Sequence, residues 1–441
     1  MSSTNTPSNK APYNDEAPLH VHSVRVLGTN ITRKSFLDTL TAGLFNPQTT
    51  AQVFKETKDL ATNLDRHDIF EEIKVYLDTN QQTKDTVDVT LLLKEKPRGL
   101  IKTAFVAGNN EVQFIGSTVS RNLFGGAESI GASFAFGNRT KSAVEGIFTT
   151  PLNGSPNVTL SAFVNQSIKD HSAINFYEEA SKSAGVGIKS QSQYGEHELS
   201  YVSAQREITG YPNASSEVRG QSGANTKASL YHSFVHDTRD HKTLPTQGHY
   251  LGLFQEWAGV GGKGDSSFFK HELAGQCHHT LVNKTCSRVS LSIGGKAGLL
   301  TTFNNVPVNL SDRMYLGGPL SLRGFKMGGI GARNGNDALG GNMYWSMGAS
   351  VISTLPGQSS KLPIKMHAFV NTGNMANWKQ SEPVNKTLED LAREPRVSVG
   401  LGLIFHLDAA RVETNFTVPL RFRTGDVIDS GFNFGIGINF L

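Results

Sequence analysis

Residues 431–441 read Gly431-Phe432-Asn433-Phe434-Gly435-Ile436-Gly437-Ile438-Asn439-Phe440-Leu441. As a strand, this segment turns Phe432, Phe434, Ile436, Ile438 and Phe440 to one side and Gly431, Asn433, Gly435, Gly437 and Asn439 to the other. One face suits lipid and the other water. A half-buried edge strand of a soluble sheet shows the same alternation. Without a charged gatekeeper, however, such an edge is flat, apolar and prone to aggregate, and pairing it with the first strand of a closed barrel removes the hazard.

Composition points the same way. Charged residues make up 18% of 441, below the roughly 25% usual for soluble domains. No run of about 18 apolar residues exists to cross a bilayer as a helix. A transmembrane β-barrel escapes that requirement because only alternate residues meet lipid. The 45 glycines fit inward positions that must stay small. A net charge of +4, without a dense Lys/Arg block, gives no case for a nucleic-acid partner. Residues 1–19, rich in Ser, Thr, Asn and Pro, lack the apolar core of a secretory signal and read as a disordered tail. That fits delivery from the cytosol to an organelle's outer membrane. Cys277 and Cys286 flank a turn and are either two unused thiols or a cross-strand disulfide.

Residues 20–98 follow a different pattern. A strand with Val24 and Val26 ends at Gly28, and two helical stretches follow, the second carrying Val53, Thr57, Leu60, Ala61 and Leu64 at helical spacing. Alternating strands come next, Ile73/Val75/Leu77 and Val87/Val89/Leu91/Leu93. The order β-α-α-β-β describes a small α+β domain, with Lys96-Pro97-Arg98-Gly99 as the hinge out of it.

From residue 100 onward, in the stretch 99–441 read as the barrel, no helix with an apolar stripe is expected, only alternating segments of about ten residues. They fall near 100–108, 112–121, 127–137, 141–150, 157–167, 181–191, 196–207, 226–238, 248–260, 266–280, 286–301, 341–354, 364–373, 395–407, 410–421 and 430–441. Sixteen is an even number, which is what closed antiparallel barrels use. The long connections, 168–180, 208–225, 302–340 and 374–394, all join an odd strand to the next even one. Long loops therefore share one side of the membrane, and the N-terminal domain and C-terminus share the other. The fold class expected is mostly β: a 16-stranded antiparallel transmembrane β-barrel behind one α+β domain.

A barrel of that size encloses a water-filled channel unless something plugs it. The longest loop, 302–340, holds Leu322-Arg323-Gly324-Phe325 and either folds inward to anchor on a luminal carboxylate or stays mobile at the surface. Leu-Arg-Gly-Phe resembles the signature loop of the outer-membrane β-barrel assembly family. Asp237-Thr238-Arg239-Asp240 with Pro245-Thr246-Gln247-Gly248 resembles that family's strand-turn-strand motif, marking Asp237, Arg239, Asp240, Pro245 and Gly248. The N-terminal domain is similar to the family's POTRA (polypeptide-transport-associated) unit. A single such unit looks most like the mitochondrial branch.

The resemblance implies an insertase without cofactor, metal or nucleotide that acts on β-barrel precursor polypeptides, with accessory subunits of an assembly complex and the lipid bilayer as further partners. It also implies mitochondrial outer-membrane localisation, with the POTRA domain in the intermembrane space as either a substrate receiver or a spacer. The family places an aspartate in a Phe-x-Asp-x-Gly strand opposite the loop arginine. Here that strand reads Phe369-Val370-Asn371-Thr372-Gly373, which leaves Glu413 as a candidate partner for Arg323. Asn433, Gly435, Ile438 and Phe440 match the β-signal that such machinery reads. Ile101, Thr103 and Phe105 on the first strand and Asn433, Gly435, Gly437, Ile438 and Phe440 on the last are the expected lateral gate. A passive pore or polypeptide-translocating channel is the alternative. Gly261-Gly262-Lys263-Gly264 lacks the spacing of a phosphate loop, and the His-Glu pairs lack a second zinc-binding histidine, so no enzyme is expected.

Overall fold

The computed structural model describes residues 15–79, 83–108, 111–284, 287–303, 307–355, 363–379, 381–406 and 411–437. By contacts they form two compact units, one holding residues up to Leu100 with 119–131 and 148–160, the other 101–118, 132–147 and 161–441.

In the first unit, β1 (His20–Leu27), α1 (Lys34–Thr41), α2 (Thr50–Arg66), β2 (Phe70–Thr79) and β3 (Thr86–Glu95) follow the order read from the sequence. The strands pair as β1-β3-β2, β1 parallel and β2 antiparallel to the central β3. Val53, Leu60 and Leu64 of α2 meet Val87, Val89, Leu91 and Leu93 of β3 in one apolar core. Gly28 ends β1 at φ +87, where a Cβ would lie 2.2 Å from the Leu93 carbonyl oxygen.

Residues 15–19, expected in the disordered tail, are ordered. Asp15 and Ala17 carbonyls accept the Ala51 and Thr50 amides at 3.1 and 3.0 Å and satisfy free N–H groups at the start of α2. Residues 1–14 lie outside the described residues. The unit also extends past the 98/99 boundary. The Arg33 guanidinium pairs with Glu128 at 2.8 Å, the Arg33 amide donates to the Gly125 carbonyl at 2.8 Å, and Asn122 donates to the Thr32 hydroxyl at 2.9 Å. Residues 96–99 are thus bypassed by side-chain and backbone ties from 32–33 to the 122–128 turn.

The second architecture is one sheet of sixteen strands. They are β4 (Gly99–Gly108), β5 (Glu111–Arg121), β6 (Ser129–Gly137), β7 (Thr140–Pro151), β8 (Val158–Asp170), β9 (Tyr177–Ser192), β10 (Gly195–Gly210) and β11 (Gly223–Asp237), then β12 (Gly248–Ala258), β13 (Phe268–Lys284) and β14 (Ser287–Thr302). A two-rung ribbon of β15 (Arg333–Asn334) and β16 (Asp337–Ala338) interrupts them, before β17 (Met343–Thr354), β18 (Ile364–Ala376), β19 (Arg396–His406), β20 (Arg411–Arg421) and β21 (Gly431–Gly437). Hydrogen-bonded order follows chain order, from β4 at one end to β21 at the other.

The sixteen barrel strands match the sixteen expected segments. Residues 438–441 of the last segment lie outside the described residues. Burial along the strands is inverted relative to a soluble protein: on β20, Arg411, Glu413, Asn415 and Thr417 are buried while Phe416, Val418 and Leu420 are exposed. Only a hydrocarbon exterior makes that arrangement favourable.

Two expectations change. The connection 168–180 shrinks to 171–176, because β8 and β9 extend to Asp170 and from Tyr177. A helix also occurs after residue 99: α3 (Ser216–Gly220) is one turn, but α4 (Val384–Ala392) spans nine residues of a long loop. Its C-terminal carbonyls are caught by the Asn374 amide and the Trp345 indole, so tertiary contacts stabilise a segment too short to show a stripe.

Candidate functional site

The loop between β14 and β17 folds inward and buries its motif. Leu322, Arg323 and Phe325 are at most 1% exposed. Arg323 Nε donates to Glu413 Oε2 at 3.0 Å, Nη2 to Oε1 at 3.2 Å and Nη1 to Asn371 Oδ1 at 3.2 Å. Its guanidinium stacks on Phe369, 4.7 Å from the ring centroid. A planar, always-charged fork suits this bidentate, stacked position as an ammonium would not. Glu413 also receives Arg411 and the Asn415 amide, and the Ser398 hydroxyl donates to the Arg323 carbonyl. Two cations therefore share one buried carboxylate. The partner read from the sequence is the one found, and Asn371 occupies the position where the family's aspartate would stand and contributes its amide oxygen.

Glycine makes the fit possible. Gly324 has φ +86, and a Cβ there would press on Thr417 at 2.9 Å and Ser398 at 3.2 Å. On the wall, a Cβ at Gly373 would strike Leu322 at 2.7 Å and one at Gly437 would strike Leu320 at 2.6 Å. Leu322 and Phe325 join Leu316, Ile330, Leu300 and Met375 in an apolar cluster.

A second anchor went unread in the sequence. Asp312, in the same loop, takes a bidentate pair from Arg206 at 2.8 and 2.9 Å and a third bond from Lys227 at 2.8 Å, on strands β10 and β11. Burial opposes its charge, yet the Lys227 and Arg206 cations prevail and hold the carboxyl below the usual carboxylate range. Asp337 accepts the Phe176 and Ser215 amides at 2.7 and 2.6 Å. The available signal was parity: Arg206 and Lys227 are charges at inward positions of strands.

The second motif closes on itself. Asp237 holds Arg239 through both carboxylate oxygens at 2.9 and 2.8 Å, and Arg239 reaches Gln276 at 2.8 Å while stacking 4.7 Å from the Tyr250 centroid. Asp240 staples Thr246 and Gln247, Pro245 is buried, and Gly248 sits at φ +97. All five motif residues thus belong to one turn, 238–247, and its flanking strand ends.

Of the gate residues, Ile101 and Phe105 are 80% and 75% exposed and Thr103 is exposed, on β4. Gly435 and Gly437 are buried on the inner face of β21, and the Asn433 amide donates to the Asp429 and Gly431 carbonyls. Glu413 stands opposite Gly435 in the β20–β21 ladder, which places the Arg323 clasp beside the last strand. Ile438 and Phe440 lie outside the described residues. So does Cys286, the other half of the pair read from the sequence, while Cys277 is exposed on β13. Among the described residues, no three His, Cys, Asp or Glu side chains are grouped to hold a metal.

Residues 122–440 match the Omp85 superfamily domain. A SAM50-like protein of Schizosaccharomyces pombe is 32% identical over 97% of this chain and 92% of its own length. The human sorting and assembly machinery component 50 homolog is 31% identical over 96% of this chain and 90% of its own length. Among solved structures, BamA from Haemophilus ducreyi lacking POTRA domains 1–3 superposes with a TM-score of 0.77 at 18% identity, covering 94% of this chain and 84% of that one. CdiB from Acinetobacter baumannii reaches 0.54 at 13% identity, over 95% and 73%.

Proposed function

Because the chain belongs to the Omp85 superfamily, among the homologues of sorting and assembly machinery component 50, we propose that it folds and inserts β-barrel precursors into the mitochondrial outer membrane. It does so at the join of β4 and β21, without nucleotide hydrolysis, as one subunit of an assembly complex. The small domain faces the intermembrane space with the C-terminus and receives precursors there.

The physical logic is backbone pairing. In hydrocarbon each unpaired N–H or C=O costs several kcal/mol, so a nascent strand needs a partner before it leaves water. The inner face of β21 includes Gly431, Gly435 and Gly437, which contribute little cross-strand packing. A precursor's last strand adds to the exposed edge, hairpins grow behind it, and the work comes from the precursor's own folding.

The observation that carries this reading is the clasp beside that edge. Arg323 is bound to Glu413 on β20, Glu413 is opposite Gly435, and Leu320 rests against Gly437. A loop so placed senses whether the last strand is in position. A loop bolted across the lumen also disfavours the reading of a steady open pore.

The test is import of a labelled barrel precursor into mitochondria depleted of this protein, then resupplied with wild type or with Thr103→Cys/Phe434→Cys, which are both on the outward face. Wild type should restore assembly, and the oxidised double variant should restore it only after reduction. Full assembly by the locked protein would refute insertion at this seam.

A further inference from the structure

We infer that the outer wall across β7–β10 holds a phospholipid, with its phosphate on Lys182, its amine-bearing headgroup toward Glu207 and an acyl chain in a groove below. The groove encloses about 680 Å3 and is walled by Val144, Gly146, Val164, Ala184 and Ser203, with Gln166, Lys182 and Gln205 at one end. These side chains belong to the outward face. Inward positions on β10 are fixed by Ala204, Arg206 and Ile208, which are buried, so Ser203, Gln205 and Glu207 point out, opposite Ala184, Lys182 and Ala180 respectively. Val144 and Val164 are 59% and 60% exposed on the same face.

The height of Lys182 is set by strand length. A membrane strand needs about 9–11 residues to cross the hydrocarbon, whereas β9 and β10 have 16 each. Their hairpin carries Tyr194, 71% exposed, the residue type that marks the near interface. Ten residues from Ser192 lies Lys182, and ten from Gly195 lies Gln205. Both therefore stand where the far edge of the hydrocarbon falls, on the side of the long loops. Among the described residues Lys182 has no ion-pair partner, an expensive state for a cation beside lipid tails and one that a phosphate relieves. Glu207, one outward position further from the membrane centre, shares a second recess of about 440 Å3 with Lys182 and Gln205 and gives the headgroup amine a counter-charge. The groove narrows to small residues where a chain would lie: a Cβ at Gly146 would already touch Val164 at 3.4 Å.

Native mass spectrometry of the full chain in detergent, titrated with dioleoyl phosphatidylethanolamine or dioleoyl phosphatidylglycerol, tests the assignment. Wild type should retain one phosphatidylethanolamine in preference to phosphatidylglycerol. Lys182→Gln should lower its retention at least fivefold, Lys182→Arg should keep it, and Glu207→Gln should abolish the preference between the two lipids. Heat-modifiable migration on gels reports a folded barrel and separates lost lipid from lost fold. Undiminished retention by a folded Lys182→Gln protein, or no retained lipid on wild type, would overturn the site, and equal retention of both lipids by wild type would overturn the headgroup assignment.

Discussion

The N-terminal domain and the barrel bury opposite things. In the first, Val53, Leu64, Val89 and Leu91 are fully hidden and the charges are outside. In the second, Arg323, Glu413, Asn415 and Ser398 are hidden while Leu401, Leu420 and Phe432 are 64%, 60% and 83% exposed. One chain obeys one hydrophobic effect in both places; the solvent on the outside differs. What holds the interior also differs: dispersion and area in the small domain, paired charges and hydrogen bonds in the barrel. The barrel interior is therefore sensitive to loss of a single partner, because a stranded buried charge has no water to turn to.

That contrast is sharpest at the clasp. Glu413→Ala should cost about 3–5 kcal/mol, since it removes the carboxylate that Arg323 and Arg411 share, and Arg323→Ala should cost less because Arg411 still pairs with Glu413; both should make the 303–342 loop protease-sensitive and depress precursor assembly. Arg323→Met, Arg411→Met and Glu413→Leu combined should be less damaging than Glu413→Ala, because no buried charge is then left without its counter-ion. If each single variant leaves the loop as resistant as wild type, the clasp is not what holds it. Asp312→Ala should loosen the opposite end of the same loop, read by the same proteolysis as cleavage nearer residue 312.

The apolar core predicts a different response. Leu91→Ala should destabilise the small domain by about 2–5 kcal/mol, seen as faster amide exchange in β1–β3 with the barrel strands unchanged. Leu401→Arg, on the outer face of β19, should cost about 2–4 kcal/mol in a bilayer-embedded folding titration if that position lies near the midplane. A neutral effect there would mean that position 401 does not meet lipid.

The smallest expected effect is on pH. Burial tends to raise the Glu95 carboxyl, but the Thr32 hydroxyl and the amides of Thr32, Asn30 and Ile31 outweigh it and hold the group below its ordinary 4.5. Its stabilisation is present above pH 4.5 and is lost as pH falls through that value. His67, whose pKa burial lowers from 6.5, adds the same sign as pH falls below that value. Amide protection in the small domain, after correction for the intrinsic exchange rate, should fall as pH drops from 6.5 through 4.5. Glu95→Gln should flatten the limb below 4.5.

Alternation carried much of this architecture because the membrane enforces it: each lipid-facing position must be apolar, so sixteen strands and the parity of their loops were legible from residues such as Phe432/Phe434 and Val397/Val399. The β-α-α-β-β order was legible from α2's spacing. The helix at Val384–Ala392 was not, since nine residues held by Asn374 and Trp345 have no signature of their own. Loop 302–340 announced its arginine, yet a period of two says only that Glu413 points inward.

Which inward groups meet depends on the stagger between strands and on where a forty-residue excursion re-enters the wall, and neither is written locally. Tertiary structure therefore decided that Arg323 finds Glu413 across ninety positions of chain, that Asp312 bridges Arg206 and Lys227, and that Leu320 settles against Gly437. Sequence alone determined which face of each strand is wet, because that is a property of single residues. Pairing inside the lumen is a property of the whole sheet.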